Sequence, residues 1–125
     1  MKYLTLFILI ILSTLIFSHE NDQSRADFFK NELRANETLL QVIESIDNKY
    51  RIQYQKLNVE IRFHNSELTE IIQIKPFRED KAISILKKVG ESQSLLKLHN
   101  IKHHLEIEKE LNSFQRMKFN EYFSP

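Results

Sequence analysis

The chain has 125 residues, 28% charged and 42% hydrophobic, which bounds it to one small domain of ordinary soluble balance. Cysteine is absent, excluding disulfides, thiolate metal sites, cysteine nucleophiles and a lipidated cysteine anchor. The formal charge is +1, and residues from 19 onward carry 17 basic and 17 acidic side chains, so there is no basic field and no base-reading motif, and nucleic acid is not an expected partner.

The first element is an apolar run. Lys2 supplies a positive start and Tyr3 to Phe17 an uninterrupted hydrophobic stretch, the layout of a signal peptide over residues 1–18. Cleavage after Ser18 puts a small residue at −1 but Ile16 at −3, so an uncleaved anchor is the alternative. The run is shorter than the ~20 residues a spanning helix wants. Either way the remainder is expected outside the cytoplasm, in the periplasm, and tethered to the inner membrane through residues 3–17 where the run is retained. Lys2 before the run and Glu20 and Asp22 after it agree with that orientation.

Residues 19–36 are a polar arm with one amphipathic piece, in which Phe28, Phe29 and Leu33 form a sticky face; a short helix is predicted there. Asn36 then offers a side chain that can accept from the free amides of a first helical turn. From Glu37 to Ile74 nothing interrupts. Ile43, Ile46, Tyr50, Tyr54, Leu57, Ile61, Leu68 and Ile72 recur at spacings of three and four, a helical stripe with Asn65 in its one gap. Such a helix is roughly 55 Å long at 1.5 Å per residue.

Lys75-Pro76 ends it, because proline disfavours helical backbone in the residue before it and has no amide to donate. A second long helix is predicted from about Arg78 to Glu110. Its inward stripe reads Ala82, Leu86, Val89, Leu96, His103 and Ile107, with Leu98, Ile101 and Leu105 on a neighbouring face. Gly90, the chain's only glycine, lies inside it and predicts a kink or a close helix contact. A last helix restarts at Asn112, with Gln115 three residues on as a capping box.

The expected fold is therefore all-α: a long antiparallel helical hairpin over 37–125 with short N- and C-terminal helices. Two helices alone cannot bury such wide stripes. The terminal helices are expected to cover part, and a homodimer of clasped hairpins, a dimeric cradle, to cover more.

This order of elements resembles the periplasmic LTxxQ superfamily over roughly residues 25–123. The best motif is Leu111-Asn112-Ser113-Phe114-Gln115-Arg116, with Asn112 where the family has threonine, followed by the glycine at Val89-Gly90-Glu91. The first copy of the motif, at Asn36-Glu37-Thr38-Leu39, keeps the cap but lacks glutamine. The superfamily contains the Spy/CpxP envelope-stress chaperones and the heavy-metal-resistance sensors of the CnrX and ZraP type. The resemblance implies a non-catalytic, exported stress protein. One branch holds unfolded envelope proteins without nucleotide. The other binds Ni, Co, Cu or Zn and reports to a membrane sensor partner. Without family or ligand, the plainer alternative is a membrane-anchored dimerisation or scaffolding protein.

His99 and His103 are four apart on one helical face, the spacing of transition-metal ligands. The resemblance puts His103 at the sensors' third-helix histidine, Asp47 near their second-helix carboxylate, and Ile107 where they have a thioether. The paired histidines of their first helix have no counterpart. The candidate metal set is thus His99, His103 and Asp47, for Zn, Cu, Ni or Co. His104 with Glu108 forms a second pair on another face, and His19 or His64 could add a ligand. For client binding, Phe28, Phe29, Phe63, Phe77, Phe114, Phe119 and Phe123 are the apolar candidates. Most are expected to pack the hairpin, with Phe63 and Phe77, on either side of the turn, the ones left exposed. No glycine-rich phosphate loop, His-Glu-x-x-His pattern or cysteine suggests an enzyme.

Overall fold

The computed structural model describes residues 24–123. Those residues are all-helical: α1 (Phe28–Glu32), α2 (Glu37–Gln73), α3 (Glu79–Glu110) and α4 (Ser113–Tyr122). The signal segment expected at 1–18 lies outside the described residues. α2 and α3 are the two antiparallel arms of a hairpin, packed along their length, while α1 and α4 close its open end.

Local chemistry explains the boundaries. α2 starts at Asn36, whose side-chain oxygen accepts from the Leu39 amide at 2.8 Å. It stops at Gln73, with Ile74 already extended, ahead of the cis Lys75–Pro76 peptide. α3 has no side-chain cap at Arg78, but Glu79 and Asp80 in its first turn face the positive end of the helix dipole. α4 carries the complete capping box: Asn112 accepts from the Gln115 amide at 2.9 Å, and Gln115 accepts from the Asn112 amide at 3.1 Å.

α1 is a widened helical turn. The Leu33 amide donates to the Phe28 carbonyl five residues back at 3.1 Å, and the Ala35 amide donates to the Phe29 carbonyl at 3.0 Å. Arg34, at φ 51, reverses the chain into α2 in a left-handed conformation that few non-glycine residues adopt.

One core holds the open end. Phe28, Phe29 and Leu33 interlock with Ile43 of α2, Ile107 of α3, Leu111 at the end of α3 and Phe119 of α4, with Leu39, Leu40, Ile46 and Phe123 packed around them. Phe29, Leu33, Ile107 and Phe119 are fully buried. Each such side chain contributes roughly 1.5–3 kcal/mol relative to exposure. Toward the turn only Leu57, Ala82, Ile85, Val89 and Ser92 are buried.

Three expectations are corrected. Leu86 is 53% exposed and Ile85 occupies the seam instead, since a 3.6-residue period admits either neighbour and α2 selects the one it faces. Ile72 is half-exposed, because α3 begins only at Glu79 and leaves the last turn of α2 without an opposing helix. Gly90 makes no close contact: a Cβ built there meets nothing within 4 Å, and α3 continues through it.

Candidate functional site

Asp47 of α2 and His103 of α3 meet across the hairpin. His103 Nε2 lies 2.6 Å from Asp47 Oδ1. A carboxylate only accepts, so Nε2 carries the proton. The opposite ring nitrogen, Nδ1, faces the Tyr54 hydroxyl at 3.3 Å. The imidazole is stacked on Tyr50, ring centres 4.7 Å apart. Tyr50 in turn donates to Glu106 at 2.6 Å, and Lys49 holds the same carboxylate at 2.8 Å.

A third group completes the node, one that the sequence reading missed. Arg25, ahead of α1, donates to both Asp47 oxygens at 3.1 Å, a bidentate pair. Its guanidinium lies over Phe29 and Phe123, 5.2 and 5.0 Å from the ring centres. One carboxylate therefore ties the N-terminal segment, α2 and α3 together. Nothing in the spacing of Arg25 and Asp47 could have found this, since their approach depends on the reversal at Arg34.

The electrostatics follow. Burial alone pushes the Asp47 carboxyl up, but the hydrogen bonds from His103 and Arg25, with their charges, outweigh it and hold the carboxyl below its ordinary range. Burial, then the Glu106 hydrogen bond and charge, push the Tyr50 hydroxyl up to about 12. Burial also raises Tyr54. The Lys49 and Tyr50 hydrogen bonds lower Glu106. Both tyrosines are thus neutral donors at neutral pH.

The expected metal set is only partly brought together. Asp47 and His103 touch, but both Asp47 oxygens already accept from Arg25. His99 lies one turn away with its ring edge-on to Tyr50, and its buried Nδ1 has no partner among the described residues. Among the described residues no group of three or more histidines and carboxylates is arranged to hold a metal ion. Two protein ligands beside a guanidinium fall short of the donor set a structural zinc takes, so the residues as arranged do not fit the metal. His19 lies outside the described residues, and the other two histidines, His104 and His64, have their own partners. His104 is buried against Phe119 and donates from Nε2 to Asn120 at 2.7 Å, and Asn120 donates to Glu108 at 2.9 Å. His64 pairs with Glu67 at 2.8 Å.

A cavity of about 350 Å³ opens at the node, lined by Arg25, Asp47 and His103 together with Arg51, Asn100 and Phe119.

The motif residues are structural. Leu111 is buried, Asn112 and Gln115 cap α4, and Arg116 donates to the Leu111 carbonyl at 3.3 Å. Gln115 does more than cap: its amide nitrogen donates to the Leu33 carbonyl at 3.1 Å, clamping α4 to the end of α1. Glutamate could cap but could not make that second bond.

The aromatic candidates divide as expected except at Phe114, which is as exposed as Phe77 because it lies on the outer side of α4. Phe28, Phe29 and Phe119 are core, while Phe63 and Phe77 are 61% and 51% exposed and Phe114 is half-exposed. The exposed pair stands near the turn with Val59, Ile72 and Ile74, also exposed, among Arg62, Lys75 and Arg78.

No family model, curated protein or solved structure matches this chain.

Proposed function

We propose that this is an exported, non-catalytic protein of the Spy/CpxP type that holds unfolded envelope proteins through the turn half of its hairpin. The supporting observation is that Val59 and Phe63 on one face of α2, and Ile74 and Phe77 at the turn, are each more than half exposed, among both basic (Arg62, Lys75, Arg78) and acidic (Glu60, Glu79, Asp80) side chains. Scattered apolar side chains on rigid helices bind many extended segments weakly and release them without nucleotide. Lysine and arginine stems extend the apolar area while their charges meet acidic stretches of the client. The charged node belongs to the opposite end and serves to keep α1 on the hairpin. Of the two activities implied by the superfamily resemblance, client holding is the one these residues favour, because Arg25 takes the place a cation would need on Asp47.

The test is light scattering of a chemically unfolded model protein diluted into buffer without nucleotide. Equimolar full-length chain is expected to suppress aggregation, and Phe63→Ser with Phe77→Ser to lose most of that effect. No suppression at a severalfold excess overturns the reading. Calorimetric titration with Zn²⁺, Cu²⁺, Ni²⁺ and Co²⁺ separates it from metal sensing. Micromolar binding that vanishes in the His99→Ala, His103→Ala variant would replace client holding with a metal role.

A further inference from the structure

The cavity at the node plays no part in client holding, and its charges do not balance. Arg25 and Arg51 bring two guanidinium groups to it, and Asp47 brings one carboxylate. Both Asp47 oxygens are taken, by Arg25 at 3.1 Å and by His103 at 2.6 Å. Arg25 is committed to that pair and to the Phe29 and Phe123 rings. Arg51 is not. It stands on α2 one turn beyond Asp47, its side chain is exposed, and among the described residues no carboxylate pairs with it.

Asn100 is a second uncommitted donor. The Tyr54 hydroxyl lies 3.3 Å from His103 Nδ1 and 3.5 Å from Asn100 Oδ1. His103 keeps its proton on Nε2, so Nδ1 accepts and takes the single Tyr54 proton. The Asn100 NH2 is left with no acceptor among the described residues. The remainder of the lining is apolar: Ile107, Phe119 and Phe123. Ile107 is seven residues beyond Asn100 on α3, about 10 Å along the helix at 1.5 Å per residue. Free donors therefore stand toward the turn and the apolar wall toward the open end.

We propose that this cavity binds a small organic acid, with its carboxylate on Arg51 and Asn100 and its aryl or short alkyl body against Phe119 and Phe123. A guanidinium presents paired N–H groups in the plane and spacing that a carboxylate accepts. The volume of about 350 Å³ is near the small end of the ~300–1,000 Å³ usual for ligand sites, room for one ring and a short chain. A metal cation would face Arg51 and find Asp47 already occupied. Inorganic phosphate would satisfy the cation but leave the aromatic wall wet. The site is apart from the turn, so it and client holding can fail separately.

The test follows amide chemical shifts of isotope-labelled, full-length chain during titration with hydrocinnamate, with hydrocinnamyl alcohol (the same body without charge) and with inorganic phosphate. Hydrocinnamate is expected to saturate with Kd below about 1 mM and to shift Arg51, Asn100, Phe119 and Phe123. The alcohol and phosphate are each expected to bind at least about tenfold more weakly. Arg51→Gln should weaken hydrocinnamate at least about fivefold, and Arg51→Lys should restore part of the loss. Lack of saturation by about 10 mM, equal affinity for the alcohol, or shifts confined to the turn around Phe63 and Phe77 would each overturn the proposal. So would unchanged affinity in Arg51→Gln. The comparison of acid with alcohol decides the matter even if that variant does not fold.

Discussion

The two ends of the hairpin are built from the same pair of helices yet differ in how much of the hairpin is covered, although Phe114, Met117 and Tyr122 of α4 also stay exposed at the open end. At the open end, α1 and α4 add a second layer, and Phe29, Leu33, Ile107 and Phe119 disappear from solvent. At the turn there is no second layer, and Phe63, Ile74 and Phe77 stay more than half exposed. Propensity cannot account for the difference, since both ends are continuous helix. A helical pair is one layer and buries only the residues along its seam; a core needs a third partner. The molecule therefore separates an end with a core built from all four helices from a turn end where only the α2–α3 seam is buried.

Substitutions should follow this division. The largest effect is expected at the closed end: Phe119→Ala removes a ring packed on Phe29, Phe123 and His104 and should cost about 3–5 kcal/mol, read as a fall in the urea midpoint followed by circular dichroism. A loss under 1 kcal/mol would break the claim that stability is concentrated there. Next comes Asp47→Asn, which leaves the Arg25 and His103 donors facing a neutral amide and should cost about 2 kcal/mol at neutral pH.

The same residue sets an acid dependence. The folded carboxyl titrates below its unfolded value of 3.8, so its contribution is fully present above that value and is lost as pH falls through the lower folded one. Stability measured from pH 6 to pH 2 should fall in the wild type, and part of that slope should vanish in Asp47→Asn. Identical slopes would remove Asp47 as a source of the acid sensitivity.

Gln115→Glu is a finer probe. It keeps the cap but loses the bond to the Leu33 carbonyl, for an expected cost of about 1 kcal/mol. Hydrogen exchange should quicken in 28–35 more than in α4 itself. The smallest stability effect belongs to Phe63→Ser with Phe77→Ser, within about 0.5 kcal/mol of wild type. If that pair unfolds the protein, the turn is not a free surface, and the contrast between the two ends collapses.

Much of this arrangement was legible in the amino-acid order. Asn36, Lys75-Pro76 and Asn112 with Gln115 mark helix ends by local bonding, which depends on residues within one turn, and the observed boundaries fall within a residue or so of them. The exposure of Phe77 followed from its place in the turn, whereas Phe63 is exposed because it falls off the half-buried stripe of α2 that carries Ile61 and His64. The Asp47–His103 approach was anticipated only through a family resemblance. The role of Arg25 was not legible at all, nor the second bond of Gln115, because each joins groups more than twenty residues apart through the docking of α1. The choice of Ile85 over Leu86 was invisible for a related reason: both satisfy the period, and only the opposing helix distinguishes them.

The sequence by itself determined that this protein is helical, where its helices begin and end, and that two of them form a hairpin, since capping, proline and periodicity act over a few residues. The tertiary structure alone decided which apolar side chains became core and which remained available, and which cation neutralises Asp47. Those outcomes depend on where α1 and α4 come to rest. That position is set by the shape of the assembled hairpin rather than by any local preference.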